Sequence, residues 1–168
     1  MRIFIAGGTS SIGKNLIHLL HKKYKITASY RNKNKIFKKK NLKWCTLDKI
    51  KNKKISSDIL INCIVTHENS KKNDIYEYIN SNVLVIQRLI TLFKKNKFKL
   101  FLNLSTISVY EKSLSGVIYE KSKKNKNNIL AITKIFGENI VKNSNINYLN
   151  LRLPSVIDFK KNNYNWIN

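Results

Sequence analysis

The sequence contains little proline, glycine, cysteine and acid, and it lacks any long apolar run. One proline, five glycines and two cysteines occur in 168 residues, together with only 9 acidic side chains. No apolar stretch approaches the roughly 18 residues that a membrane-spanning helix needs. The apolar run at residues 3–6 is too short for a signal peptide, and no internal repeat occurs. These absences argue against a membrane span, a secretory leader and a repeat array.

The two cysteines, Cys45 and Cys63, both lie in apolar, strand-like segments. Such positions are typical of buried free thiols, which persist in a reducing compartment. We therefore expect a cytoplasmic protein with two unpaired thiols. A disulfide between them is the alternative.

The shortage of acid gives the chain a large positive charge. Lys and Arg number 33, and the formal net charge is +24. Such a field attracts polyanions, including nucleic acid and anionic lipid. The chain is also rich in Asn and Ile, which like Lys have A/T-rich codons, so genomic base composition is an alternative cause. The lysines fall in short runs at 38–40, 51–54 and 121–126 rather than in one stripe with interleaved aromatics. We expect a solvated surface that binds nucleic acid weakly and non-specifically at low salt.

What remains is an ordinary globular composition with a regular alternation of elements. Hydrophobic residues make up 42% of the chain, enough for one domain with a sizeable core over residues 1–168. Strand-like and helical patterns alternate, which predicts an α/β fold with a doubly wound parallel sheet. The predicted strands are Ile3–Ala6, Ile26–Tyr30, Trp44–Leu47, Ile59–Val65, Leu100–Leu104 and Tyr148–Leu153. The predicted helices start at Ile12, with Leu16, Leu19 and Leu20 on its apolar face, and span Ile75–Lys95 and Ile129–Val141. Lys112–Asn128 is a mostly polar insertion.

The first 31 residues have the layout of a βαβ dinucleotide-binding unit. A glycine turn, Gly7 to Gly13, separates the first strand from the first helix. Gly7 permits the tight turn and Gly13 permits close helix packing, while the helix N-terminus offers N–H groups to a phosphate. Ser10 occupies the middle glycine position of the motif and brings a small side chain, with a further hydroxyl donor, close to the phosphates.

Arg31 bears on the choice of cofactor. An acidic residue at the end of the second strand would accept hydrogen bonds from the ribose 2′-hydroxyl of NAD. The residue here is a cation, which suits the 2′-phosphate of NADP. We expect NADP in preference to NAD, with one more exposed surface cation as the alternative reading of Arg31.

Taken in order, the motifs of the chain resemble those of the extended short-chain dehydrogenase/reductases, in particular the NAD-dependent epimerase/dehydratase group that acts on nucleotide sugars. The matching segments are Ala6–Gly13, Leu47-Asp48, Asp58–Cys63, Asn82–Leu84, Leu104–Tyr110, Ala131–Lys134 with Gly137-Glu138, and Arg152–Pro154. The resemblance implies a Rossmann-type fold, a bound NADP or NAD and no metal. The positions it implies for cofactor binding are Gly7, Gly8, Thr9, Ser10, Ser11, Ile12, Gly13, Arg31, Asp48, Cys63, Ile64, Val65, Lys134 and Pro154.

The resemblance also implies a catalytic tyrosine, lysine and hydroxyl. Thr106 matches the hydroxyl and Lys134 the lysine, but the tyrosine position four residues before the lysine is Leu130. Tyr119 and Lys123 fit the tyrosine-lysine spacing by letters. Their distance from Thr106 is too short for the family, and a polar stretch follows them where a buried helix should begin. We therefore favour Lys134, with Tyr119 as a substitute phenol being the weaker hypothesis.

Three functions stay open from the sequence. The first is an oxidoreductase-type epimerase, dehydratase or reductase of a nucleotide sugar. The second is a non-catalytic dinucleotide-binding domain, possible because the tyrosine is absent and residues 155–168 provide only the start of a substrate lobe. The third is a basic nucleic-acid-associated protein. The resemblance further implies a homodimer through the helices at 75–95 and 129–141, with core packing as the alternative explanation of their apolar residues.

Overall fold

The structure is a computed structural model that describes residues 1–48, 55, 57–66, 74–112 and 116–154. The lysine run at 51–54 and residues 155–168, which we expect to begin a second lobe, lie outside the described residues.

Six parallel strands form one sheet in the described part of the chain. The strands are Arg2–Ala6 (β1), Lys25–Ser29 (β2), Leu42–Cys45 (β3), Ile59–Asn62 (β4), Leu100–Thr106 (β5) and Tyr148–Leu153 (β6). Their order in the sheet is β3-β2-β1-β4-β5-β6, and each neighbouring pair is parallel. Strands β2 and β3 extend the sheet to one side of β1 and the last three strands to the other, which leaves a crevice at the carboxyl ends of β1 and β4. The doubly wound prediction is therefore confirmed.

Helices cover both faces of the sheet because the central strands are apolar on both sides. Helix α1, Ser11–Leu20, packs on one face, and α3, Val85–Asn96, and α4, Ile129–Lys142, pack on the other. The α1 face buries Ile3, Ile5, Ile17, Ile26 and Ile61. The opposite face buries Phe4, Leu60, Ile86, Leu89, Phe93, Phe101 and Val141. No helix in the described ranges is long and apolar enough to span a membrane.

Helix α1 packs Ile12, Leu16 and Leu20 of its predicted apolar face against the sheet, whereas Leu19 faces away. Gly13 and Ile17 are its buried residues, and Leu19 is 74% exposed. The helix approaches the sheet through Gly13, so the line of contact runs through Gly13 and the residue one turn later. Leu16 and Leu20 lie at the margins of that contact.

The helix predicted over Ile75–Lys95 contains a turn of π-helix. Helix α2, Ile75–Ile79, continues into a π segment at Asn80–Leu84 and then into α3. The π segment faces Gly137 of α4, where a Cβ atom would lie 2.4 Å from the backbone oxygen of Asn82. Asn82 is fully buried and its Nδ2 donates to Thr133 Oγ1 at 3.1 Å. The extra residue of the π turn thus accompanies a close helix contact that a regular 3.6-residue pattern does not reveal.

Two predicted strands end earlier than their apolar runs. The prediction extended β4 to Val65, but the strand stops at Asn62, whose Oδ1 accepts from the Ile64 N–H at 3.1 Å. This side-chain turn replaces the ladder. Strand β3 lies at Leu42–Cys45 rather than at the predicted Trp44–Leu47, and its register pairs Trp44 with Ala28 of β2.

Candidate dinucleotide-binding and active site

The glycine turn between β1 and α1 is built so tightly that two positions require glycine. Gly7 has φ +77°, and a Cβ atom there would lie 3.0 Å from the backbone carbon and oxygen of Cys63. A Cβ atom on Gly13 would lie 2.3 Å from the Gly7 carbonyl oxygen. The turn therefore lies against the carboxyl end of β4, at the crevice between β1 and β4, and the start of α1 packs on the turn.

The hydroxyl of Ser10 is committed to the turn itself. It donates to the Gly7 carbonyl at 2.7 Å and accepts from the Gly13 N–H at 3.1 Å, which makes Ser10 the N-cap of α1. The expectation that this hydroxyl is a phosphate donor is wrong for this conformation, since its proton is already used. The helix N-terminus still presents the positive end of its dipole at the crevice.

Ser29, which sequence reasoning missed, locks the turn to β2. Its side chain accepts from the Gly7 N–H at 2.9 Å, and its backbone oxygen accepts from the Gly8 N–H at 2.9 Å. Ser29 is 2% exposed. The signal in the sequence is a small polar residue at the end of an otherwise apolar strand.

Two aromatic residues lie beside the turn, Tyr30 after the end of β2 and Trp44 in β3. A Cβ atom on Gly8 would lie 2.9 Å from the Trp44 ring. Tyr30 packs edge-on against Trp44 with ring centroids 6.3 Å apart, and Trp44 Nε1 donates to the Phe37 carbonyl at 2.8 Å. Arg31 follows and is exposed.

The other predicted cofactor positions line the same edge of the sheet. Asp48 follows β3 and is exposed, 4.0 Å from Arg88, an exposed ion pair of little energetic weight. Cys63 follows β4 and is buried, and burial raises the pKa of its thiol to about 12. Both cysteines are free thiols. The remaining predicted residues are exposed (Ser11, Pro154) or half-buried (Thr9, Ile12, Ile64, Val65).

Lys134 is held against β5, the strand that ends at Thr106. Lys134 is 3% exposed, and its Nζ donates to the Leu104 carbonyl at 3.1 Å. Burial lowers the pKa of the ammonium to about 8, against the opposing charge of Glu138. Thr106, two residues beyond Leu104, accepts from the Ser108 N–H at 3.2 Å and donates to Ser108 Oγ at 3.1 Å. The buried lysine is thus held at the strand end that carries the predicted hydroxyl.

The two candidate phenol positions differ in their surroundings. Leu130 is half-buried in α4, one turn before Lys134, and leucine has no proton to transfer. Tyr119 is 71% exposed, and its backbone N–H is bonded to Ser122 Oγ at 2.9 Å. Tyr119 therefore lies on the exposed insertion, whereas Lys134 is buried against β5.

A polar cluster that sequence reasoning missed ties the site elements together. Arg152 on β6 donates from Nε to Glu138 Oε1 at 3.0 Å, from Nη2 to Oε2 at 2.7 Å, and from Nη1 to the Tyr110 hydroxyl at 2.5 Å. The hydrogen bonds to Glu138 raise the pKa of Arg152 above its usual range. Tyr110 in turn donates to the Glu120 carbonyl at 3.2 Å, and Lys124 Nζ lies 3.8 Å from the Tyr110 ring centroid. The cluster joins β6, α4 and the insertion.

A six-stranded parallel sheet of this order, with a glycine turn at its switch point, defines a Rossmann-type dinucleotide-binding fold. The sequence profile of the NAD-dependent epimerase/dehydratase family matches residues 3–159. The chain belongs to that family. No curated protein matches the sequence.

Solved structures share the fold at low identity. The Bordetella bronchiseptica enzyme WbmH, solved with NAD⁺, superposes with a TM-score of 0.79 at 18% identity, covering 93% of this chain and 56% of its own. UDP-glucuronic acid 4-epimerase from Bacillus cereus, solved with NAD, gives a TM-score of 0.77 at 24% identity, covering 92% and 56%. Bordetella bronchiseptica WbmG, solved with NAD, gives 0.78 at 21%, covering 90% and 52%. The chain spans little more than half the length of these enzymes.

Proposed function

We propose that this chain binds a nicotinamide dinucleotide along the carboxyl edge of the sheet. The carrying observation is the tight turn at the switch point, where Gly7 and Gly13 leave no room for a Cβ atom. This turn brings the N-terminus of α1, with its N–H groups, to the crevice where a pyrophosphate binds in this fold. The turn would hold the pyrophosphate, Arg31 and Asp48 the adenosine, Cys63–Val65 the wall that follows β4, Lys134 the nicotinamide ribose, and Pro154 the far side of the site beyond β6. When bound, such a cofactor supplies a hydride acceptor or donor.

Trp44 gives this proposal a direct test. Its ring lies beside Gly8, and a Trp166→Phe variant leaves it as the only tryptophan. Titration with NADPH and with NADH should quench Trp44 emission and sensitise nicotinamide emission. A Gly13→Val variant, verified as folded by circular dichroism, should lose the signal. If neither reduced cofactor produces energy transfer or a calorimetric signal, the proposal is wrong.

The preference for NADP is carried by Arg31 alone. An exposed guanidinium at the end of β2 is suited to a 2′-phosphate, and no acidic residue occupies positions 29–33 to bind a 2′-hydroxyl. The similar solved structures named above were obtained with NAD, so both cofactors belong in the titration.

For the substrate, we propose a nucleotide sugar, as the family membership implies. Thr106 would orient the sugar hydroxyl, and Lys134 would lower the pKa of a neighbouring phenol, were one present. Because Leu130 stands in the phenol position, we expect this chain by itself to bind cofactor without oxidising a sugar. The retained Lys134 and Thr106 favour the second candidate, an active enzyme whose phenol comes from elsewhere.

A Leu130→Tyr variant separates these two functions. With a new phenol one turn from Lys134, the non-catalytic reading predicts that turnover with UDP-sugars and cofactor appears only in the variant. Turnover by the unmodified chain that a Tyr119→Phe change abolishes would instead select the second candidate and assign Tyr119 as its phenol. A Tyr76→Phe variant, which alters another exposed tyrosine, is the matched control.

We also propose a homodimer through the helices at 75–95 and 129–141. A groove of about 570 Å³ lies between α3 and α4, with Gln87, Ile90, Phe136 and Ile140 in its wall. Phe136 is 59% exposed and Leu84 is 39% exposed on this face. An exposed phenylalanine beside an apolar groove favours contact with a second copy of the same face.

A further inference from the structure

The fold gathers lysines from separate parts of the sequence at the amino edge of the sheet, opposite the glycine turn. In a parallel sheet with crossover helices, strand starts and helix ends share this edge. Lys94 lies in the last turn of α3, Lys97 caps that helix, Lys99 precedes β5, and Lys142 ends α4. All four are exposed, and together they are called the basic edge. Arg2 and Lys25, at the starts of β1 and β2, extend it along the sheet.

Acid is scarce at this edge. Among the acidic residues that the structure describes, only Asp58 lies there, at the start of β4. Its carboxylate accepts from the Arg2 N–H at 2.8 Å, and this hydrogen bond, with the charges of Arg2 and Lys99, lowers its pKa. The ion pairs formed by described residues use Asp48, Glu111 and Glu138, which lie elsewhere. The positive charge of the basic edge is therefore largely uncompensated.

A helix C-terminus favours cations, which accounts for Lys94, the C-cap Lys97 and Lys142. It does not account for Lys99, which lies beyond the cap. Nor does it account for the groove between the end of α3 and the start of β6. That groove, of about 570 Å³, is lined by Phe93, Lys94, Lys97, Asn145, Ile146 and Asn147.

The residue that follows the groove in sequence is an exposed aromatic one. Tyr148 follows Asn147 and is 37% exposed. It pairs in register with Phe101, whose side chain lies on the sheet face covered by α3 and α4. Tyr148 is thus on the same face as the groove.

We propose that the basic edge binds single-stranded nucleic acid. The groove seats the phosphate backbone, with Lys94 and Lys97 of its wall on the phosphates and the amides of Asn145 and Asn147 on phosphate and sugar oxygens. Lys99, outside the groove on the same edge, adds to the positive field. Tyr148 stacks on a base. Lysines along a groove, combined with an aromatic platform, are the features by which single strands are bound without sequence preference. An anionic membrane would attract the same lysines but makes no use of a groove or of asparagine amides.

Anisotropy titration of a fluorescein-labelled oligothymidylate at several salt concentrations tests the charges. The variant carries Lys94→Gln, Lys97→Gln and Lys99→Gln. The control carries Lys35→Gln, Lys121→Gln and Lys126→Gln, three exposed lysines away from the basic edge with the same loss of charge. We expect the variant to bind at least about tenfold more weakly at moderate salt, with the slope of log K against log salt reduced by about two. The control should change binding less than about twofold.

A Tyr148→Leu variant tests whether a base stacks on the Tyr148 ring, because it keeps apolar packing but removes the stacking surface. We expect at least about a fivefold loss of affinity with an unchanged salt slope, because no charge is removed. Tyr119→Leu, at an exposed tyrosine outside the groove, should have no effect. Equal losses in the two lysine triples, or an unaffected Tyr148→Leu variant, would overturn the proposal. So would binding to phosphatidylserine vesicles that depends on the basic edge without oligonucleotide binding. Circular dichroism and thermal unfolding verify each variant as folded.

Discussion

Arg152 and Glu138 form a two-pronged ion pair that closes the far side of the candidate site. Two guanidinium nitrogens donate to the two carboxylate oxygens, at 3.0 and 2.7 Å, and the third donates to Tyr110. Glu138 lies one turn beyond Lys134 on α4 and is 5% exposed. The pair therefore fixes the helix that carries the lysine relative to the strand that precedes Pro154.

Breaking this pair should destabilise the protein. An Arg152→Met variant leaves the Glu138 carboxylate buried without its partner, and we expect a loss of about 3 kcal/mol in the free energy of unfolding. Urea denaturation measures it. The Arg152→Met/Glu138→Met double variant should recover most of that loss, since an apolar pair of similar volume carries no unpaired charge. A double variant as unstable as the single one would contradict this account.

Because of Lys134, the stability of the protein should rise with pH in the alkaline range. Its folded pKa of about 8 lies below the ordinary 10.5, so between these values the unfolded chain binds more protons than the folded one and stability rises with pH. Burial of the Lys134 ammonium lowers the free energy of unfolding by roughly 3 kcal/mol, and this destabilisation is fully present below about pH 8. Urea denaturation from neutral pH to pH 10 should therefore show the wild type gaining stability relative to Lys134→Met. Parallel pH profiles for the two proteins would show that the buried ammonium carries no such penalty.

Ser10 should act as a helix cap. A Ser10→Ala variant loses the acceptor for the Gly13 N–H and should be about 1 kcal/mol less stable. Ser10→Gly should cost only a few tenths of a kcal/mol, because glycine is tolerated at this position. Thermal unfolding compares them. Identical stability of both variants with the wild type would mean that the hydroxyl contributes nothing as a cap.

Arg31 should set the ratio of affinities for NADPH and NADH. In an Arg31→Asp variant, the carboxylate repels a 2′-phosphate and accepts from a 2′-hydroxyl, so we expect the ratio to shift by about tenfold or more toward NADH. The Trp44 energy-transfer titration gives both constants. A Lys35→Asp variant, which changes an exposed lysine nearby, is the control, and an equal shift there would assign the effect to general charge.

Phe136 should be needed for self-association. A Phe136→Glu variant places a charge beside the groove between α3 and α4, and light scattering after size exclusion should report a monomer where the wild type is a dimer. Leu19→Glu, at a 74% exposed leucine on α1, should leave the dimer intact. A monomeric wild type would refute the proposed homodimer outright.

The sequence carried most of the fold because its signals are local. Apolar runs of strand length alternate with helical patterns, and the glycine turn fixes where the nucleotide unit begins. Its errors also have local explanations. Periodicity predicts a buried Leu19 because it does not show that α1 approaches the sheet most closely at Gly13. The apolar run predicts a strand through Val65 because the sequence does not show that the Asn62 side chain forms a turn with the Ile64 N–H.

Family motifs located Thr106 in a short segment at the end of β5, and they located Lys134 and the absence of a tyrosine at position 130 by their spacing along α4. The partners of those residues did not follow from spacing. The Ser29 hydroxyl on the Gly7 N–H, the Leu104 carbonyl on Lys134 and the Arg152–Glu138–Tyr110 cluster each join elements far apart in the chain. Only packing of the sheet with its helices creates these contacts.

The surplus of lysine shows the same division. The sequence determined the net charge, +24, and placed the lysines in short, separate runs. The tertiary structure decided which of these lysines are neighbours, because a parallel sheet with crossover helices brings the end of α3, the end of α4 and the starts of β5 and β6 to one edge. Charge is additive along a chain, whereas its field depends on which residues the fold makes neighbours.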